Sequence, residues 1–178
     1  MSGAHAGSRL VLVTGGARSG KSRVAETRLA ELAPGGPWRY VATAEALDDE
    51  MRARIAHHRA RRGVEWRTVE APRALADAVR APDEAGVLVD CITLWLTNLL
   101  LAGADDDALL AAADEVAAAA RAAARPVVLV TNEVGGGIVP DNALARRFRD
   151  VAGWVNQRLA SACDEVFLVA AGLPLRLR

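Results

Sequence analysis

Eight consecutive residues, Gly15-Gly16-Ala17-Arg18-Ser19-Gly20-Lys21-Ser22, follow the pattern G-x-x-x-x-G-K-S. That spacing suits phosphate. The glycines let successive backbone N–H groups turn inward around phosphate oxygens, the lysine reaches the β and γ phosphates, and the serine hydroxyl ligates Mg²⁺. Of the 22 basic residues, all but Lys21 are arginine. A compact ammonium reaches a single oxygen in a tight loop where a planar guanidinium fits poorly.

A phosphate loop calls for a carboxylate at the end of a neighbouring strand, to hold the metal or its water shell. Asp90, closing Val87-Leu88-Val89, meets that need; the alternative is a strand cap. Glu133 follows a strand inside a glycine-rich loop, which suits polar work near phosphates or a structural hydrogen bond equally. The adjacent pair His57-His58 falls in a stretch of helical spacing. Helix neighbours differ by about 100° in direction, so the two cannot share a role. His58 continues the Leu47, Met51, Ile55 stripe and reads as a packing residue. His57 lies on the flank with Glu50, Arg54 and Arg61. The arginines suit a phosphate-bearing ligand and disfavour a charged imidazole, leaving a neutral nucleophile; an ordinary surface histidine is the other reading. Cys91 and Cys163 match no metal or redox spacing. Cys91 reads as a small core residue.

These residues need a frame, and the pattern supplies one. Short continuous apolar runs alternate with helical patterns: strands at 9–14, 38–42, 64–69, 86–91, 127–131 and 165–170, with an edge strand at 173–177 that carries Pro174. Helices are expected at 21–33, 47–62, 72–80, 93–101, 108–124 and 142–162, with Asp105 to Asp107 as capping candidates. Doubly covered, mostly parallel α/β architecture follows. The phosphate loop falls between the first strand and first helix, which is the context the motif requires.

Composition narrows the class. The chain has 178 residues, 52% hydrophobic and 25% charged, which is enough for one stable core. Basic and acidic residues balance at 22 each, so neither nucleic acid nor an anionic membrane is implied as a partner. No apolar run reaches membrane-spanning length. Residues 1–8, which include His5, read as a disordered lead-in, residues 9–178 as one domain, and the cytoplasm as the compartment. The sequence Thr131-Asn132-Glu133-Val134 is not the N-K-x-D guanine motif of regulatory GTPases.

The phosphate loop, Tyr40-Val41-Ala42-Thr43, Asp48-Asp49-Glu50-Met51 running into Arg54-Ile55-Ala56-His57-His58, Trp66-Arg67-Thr68-Val69-Glu70, the segment from Asn132 through Pro140, and Asn156-Gln157-Arg158-Leu159-Ala160 together resemble the bifunctional adenosylcobinamide kinase/adenosylcobinamide-phosphate guanylyltransferase family of cobalamin synthesis. The resemblance runs from about Leu10 to the C-terminus. It implies a RecA-like P-loop fold and a homotrimer. It implies phosphorylation of adenosylcobinamide by ATP or GTP, then GMP transfer from GTP through a guanylyl-histidine to adenosylcobinamide phosphate. That histidine falls on His57, with Lys21 beside it as catalytic. Nucleotide contacts fall on Gly15, Gly16, Ala17, Arg18, Ser19, Gly20, Lys21, Ser22, Thr43, Ala44, Glu45, His58, Arg59, Ala60, Arg61, Glu70 and Asp90. Mg²⁺ falls on Ser22 and Asp90. The segment 102–107 matches loosely, and the resemblance leaves open a chain that keeps only one of the two activities.

Two other readings start from the same loop. A small-molecule kinase of the adenylate kinase type needs no nucleophilic histidine and carries an arginine-rich lid. A nucleotide switch or assembly module needs a mobile switch region and a partner surface.

Overall fold

The structure, a computed structural model, describes residues 9–45 and 63–178. The expected lead-in and the helix expected over 47–62 lie outside the described residues. Seven strands form one sheet: β1 (Leu10–Gly15), β2 (Trp38–Ala42), β3 (Trp66–Glu70), β4 (Gly86–Asp90), β5 (Val127–Val130), β6 (Glu165–Ala170) and β7 (Leu173–Arg176). Their order is β3-β2-β4-β5-β1-β6-β7. All pairs are parallel except β6 with β7. The described helices are α1 (Lys21–Leu32), α2 (Leu75–Arg80), α3 (Ile92–Leu101), α4 (Asp106–Ala122) and α5 (Ala143–Ala162).

The continuous apolar runs make sense once both faces of the sheet are covered. On β1, Leu10 and Leu12 face a core that takes residues from α2 through α5, while Val11 and Val13 face Ala25 and Leu29 of α1. The same alternation puts Val127 and Leu129 of β5 on one face and Val128 and Val130 on the other. Each buried Val or Leu is worth about 1.5–3 kcal/mol over its exposed state, so a polar residue at either parity would be costly.

Several boundaries shift for local reasons. The third strand begins at Trp66, because Val64 lies fully exposed in a turn. The fourth helix begins at Asp106 because Asp105 is its N-cap: the side chain accepts from the Ala108 N–H at 2.8 Å. Asn142 caps α5 in the same way, accepting from Leu144 and Ala145. Only the last turns of the expected 72–80 helix form, after Pro72 and Arg73.

One feature of β2 runs against the pattern. Arg39 is buried in the strand and pairs with Glu84 at 2.5 Å, each side chain 3% exposed. Its Nη1 also donates to Ala78 O and Ala81 O, both at 2.9 Å. A buried guanidinium survives only when paired and bonded in this way.

Candidate active site

Six parallel strands place their C-terminal ends along one edge, which is where ligands bind in open α/β sheets. Gly15 ends β1, Thr43 follows β2, Glu70 ends β3, Asp90 ends β4, and Asn132 follows β5.

The phosphate loop is closed from within and braced from beside. The Ser19 N–H donates to Gly16 O at 3.3 Å, and the Gly172 N–H of the β6–β7 turn donates to Ser19 O at 2.8 Å. That close packing explains two of the glycines, Gly15 and Gly20. A Cβ on Gly15 would stand 2.4 Å from Val169 O, and one on Gly20 (φ +93) would stand 3.1 Å from the Gly172 Cα. Gly16, Ala17 and Arg18 are exposed, and Arg18 takes a left-handed backbone at φ 57. The buried Lys21 lies back across the loop, its Nζ donating to Gly16 O at 3.1 Å. A phosphate oxygen is a stronger acceptor than that carbonyl, so the ammonium is placed to exchange one for the other.

Ser22 is half-buried in the first turn of α1. Asp90 lies two strand positions from β1, across β5. Its Oδ2 accepts from the Tyr40 hydroxyl at 2.8 Å. A hydroxyl and a carboxylate are hard oxygen donors, and a single carboxylate beside a phosphate loop is the usual holding set for Mg²⁺, so these residues fit that ion. Among the described residues no group of three His, Cys, Asp or Glu side chains is arranged to hold a metal unaided.

Thr43 is buried and knotted to the end of β4. Its hydroxyl donates to Cys91 O at 2.7 Å and accepts from the Cys91 N–H at 2.8 Å. Asn98 of α3 donates to Thr43 O at 2.8 Å and to Pro72 O at 2.9 Å, tying together the exits of β2 and β3. Glu45 meets Arg73 at 3.4 Å between the same exits. Ala44 lies half-buried between Thr43 and Glu45.

The expected nucleotide contacts therefore form two groups. Gly15 through Ser22 and Asp90 gather around β1, β5 and β4. Thr43, Ala44, Glu45 and Glu70 gather at β2 and β3. Glu70 is four strand positions from β1, about 19 Å at ordinary strand spacing. His57, His58, Arg59, Ala60 and Arg61 lie outside the described residues.

Cys91 is buried, and burial pushes its thiol pKa up, with the Asp90 carboxylate adding to the effect. It is a packing residue. Burial likewise pushes Cys163 up to about 12.

Sequence reasoning missed several polar residues here. Tyr40 and Asn156 stand in segments that carry the family resemblance, yet the sequence assigns neither a role. Asn156, on the apolar stripe of α5, accepts from the Thr131 hydroxyl at 2.8 Å and donates to Asn132 O at 3.1 Å. Thr93 Oγ1 accepts from the Asn132 N–H at 3.0 Å and from its Nδ2 at 2.7 Å. The available signal was an amide on an otherwise apolar helix face.

Comparison with known proteins gives a family and a fold. The family described as cobinamide kinase / cobinamide phosphate guanyltransferase matches residues 11–177. A bifunctional adenosylcobalamin biosynthesis protein CobU from Salmonella typhimurium is 51% identical, covering 95% of this chain and 99% of its own. The CobP protein of the same description from Pseudomonas aeruginosa is 48% identical, with 94% and 96% covered. Among solved structures, a KaiC-like protein from Pyrococcus horikoshii is similar with a TM-score of 0.51 at 14% identity, covering 91% of this chain and 71% of that one. The fold is thus the RecA-like P-loop architecture.

Proposed function

The chain belongs to the cobinamide kinase / cobinamide phosphate guanyltransferase family, and from that premise we propose that it phosphorylates adenosylcobinamide at the Gly15–Ser22 loop and then transfers GMP through His57. It is a bifunctional kinase and guanylyltransferase of cobalamin biosynthesis. The observation that carries the kinase assignment is Lys21, buried and folded across the loop onto Gly16 O.

In the kinase step the loop N–H groups and Lys21 grip the phosphates of ATP or GTP, fixing the γ-phosphorus for attack by the acceptor hydroxyl. Ser22 and Asp90 would hold Mg²⁺, which offsets phosphate charge when bound. Tyr40 orients the Asp90 carboxylate for that purpose.

In the second step a nitrogen of neutral His57 attacks the α-phosphorus of GTP, the bond to the β-phosphate oxygen breaks, and pyrophosphate leaves. A phosphate oxygen of adenosylcobinamide phosphate then attacks the same phosphorus, the P–N bond breaks, and the imidazole is regenerated. Thr43 to Glu45, Glu70 and residues 58–61 are the nucleotide contacts proposed for this step, and a homotrimer is the proposed assembly.

Incubation with GTP labelled at the α-phosphate tests the scheme. Wild type acquires an acid-labile, alkali-stable label, faster as the pH rises through the ordinary imidazole range near about 6.5. His57→Ala acquires none and keeps its kinase turnover; His58→Ala still labels. Label lost only in His58→Ala reverses the assignment, and an unlabelled wild type leaves a plain kinase.

A further inference from the structure

Helix α5 fastens the glycine-rich loop after β5 at two points. Arg149 donates through Nη2 to Gly135 O, and Asn156 donates through Nδ2 to Asn132 O. The two side chains are seven residues apart, about two helical turns, and so share one stripe of the helix. The carbonyls they hold bracket Glu133.

The rest of that helix face is apolar: Val151, Ala152, Val155 and Leu159 are buried. An amide there sacrifices packing and is costly unless both of its ends are bonded. Asn156 meets that condition, because its Oδ1 accepts from the buried Thr131 hydroxyl. From the sheet side, the ladder continues past the end of β5. The Thr131 N–H donates to Val13 O and the Glu133 N–H to Gly15 O, both at 3.0 Å. Thr93 secures Asn132 between them. Three elements thus hold a short stretch of loop in place.

That stretch presents Glu133. Its backbone is bonded to the first residue of the phosphate loop, and β5 lies between β1 and β4, so Glu133 follows the strand that separates Lys21's loop from Asp90. The side chain is exposed, with Oε1 accepting from the Gly135 N–H at 2.6 Å. A carboxylate at this place is repelled by a bare triphosphate and attracted by a hydroxyl proton.

We infer that Glu133 is the catalytic base of the phosphoryl transfer and that Asn156 is its positioning residue, acting through Asn132 and Thr131. The acceptor oxygen forms its bond to the γ-phosphorus while the bond to the β–γ bridging oxygen breaks. The nucleoside diphosphate leaves with that electron pair, and the acceptor's proton passes to the Glu133 carboxylate. The inference rests on the phosphate loop being the kinase site.

The test is steady-state kinetics of γ-phosphate transfer to adenosylcobinamide by the full chain. Glu133→Gln lowers kcat by about a hundredfold or more and leaves the nucleotide KM unchanged. Asn156→Ala and the milder Thr131→Val each lower kcat by about tenfold, again at unchanged nucleotide KM. In the Glu133→Gln background, Asn156→Ala adds no further loss, because both changes remove one function. Near-wild-type turnover by Glu133→Gln overturns the inference. So do losses that multiply in the double variant, since a merely structural Asn156 acts independently of the carboxylate. If Asn156→Ala does not fold, the double variant is built with Thr131→Val. Full kinase activity in Lys21→Ala overturns the underlying site assignment instead, whatever Glu133 does.

Discussion

The Tyr40 hydroxyl donates to Asp90 Oδ2 at 2.8 Å, joining the middle of β2 to the C-terminal end of β4. The Tyr40 ring is itself held edge-on by Trp66, with ring centroids 6.0 Å apart. One neutral donor therefore fixes the rotamer of the carboxylate proposed to hold Mg²⁺, and a ring contact fixes the donor.

Tyr40→Phe keeps the ring and removes the hydroxyl. A hydrogen bond to a charged group is worth about 1.5–3 kcal/mol, and its loss here falls on the placing of Asp90. The expected result is a folded protein that needs severalfold more Mg²⁺ for half-maximal kinase activity. A Mg²⁺ titration of turnover measures this; a curve superimposed on wild type separates Tyr40 from the metal.

Lys21→Ala abolishes phosphoryl transfer and weakens triphosphate binding. The fold survives, because the loop is closed by Ser19 to Gly16 and braced by Gly172 to Ser19 through backbone atoms alone. Guanylylation of the same variant then reports on site sharing. Loss of both reactions means a common nucleotide pocket; loss of the kinase step alone means two.

Gly20→Ala forces a side chain into a left-handed backbone and against the Gly172 Cα. Roughly 1–2 kcal/mol of destabilisation is expected from the backbone conformation, with weaker nucleotide binding as the β6–β7 turn is pushed off the loop. Thermal melting and calorimetric titration read the two effects separately. A variant that binds nucleotide like wild type shows that the brace is dispensable.

Glu165 gives a pH dependence. Its hydrogen bonds to Arg28 hold its pKa below the usual carboxylate value, and Arg9 adds to the effect. A carboxyl whose folded pKa is lowered contributes its full stabilisation above its unfolded pKa, about 4.3, and loses it as the pH falls through the folded value. Glu165→Gln costs about 2 kcal/mol at neutral pH. Its melting temperature then declines less steeply than that of wild type in the acid range. Parallel acid limbs in the two proteins refute the linkage.

The place and shape of the phosphate loop could be read directly from the chain, because the motif is contiguous and its conformation is set by glycine and by the strand and helix on either side. The alternating elements were legible for a related reason: a strand buried on both faces must be apolar at both parities, as β1 and β5 are. Neither argument reaches the strand order. That β5 lies between β1 and β4, setting Asp90 two positions from the loop and Glu70 four, follows from how the helices cross over the sheet. Arg39 was also hidden. Nothing local in Trp38–Ala42 reveals that Glu84, far along the chain, lies opposite to neutralise it. The same holds for Asn156. Its sequence position puts it on α5, but only the docking of that helix onto the sheet turns its amide toward Thr131 and Asn132. Side-chain hydrogen bonds of this kind act over about 3 Å between residues some 25 apart in sequence, so packing alone decides which partners meet.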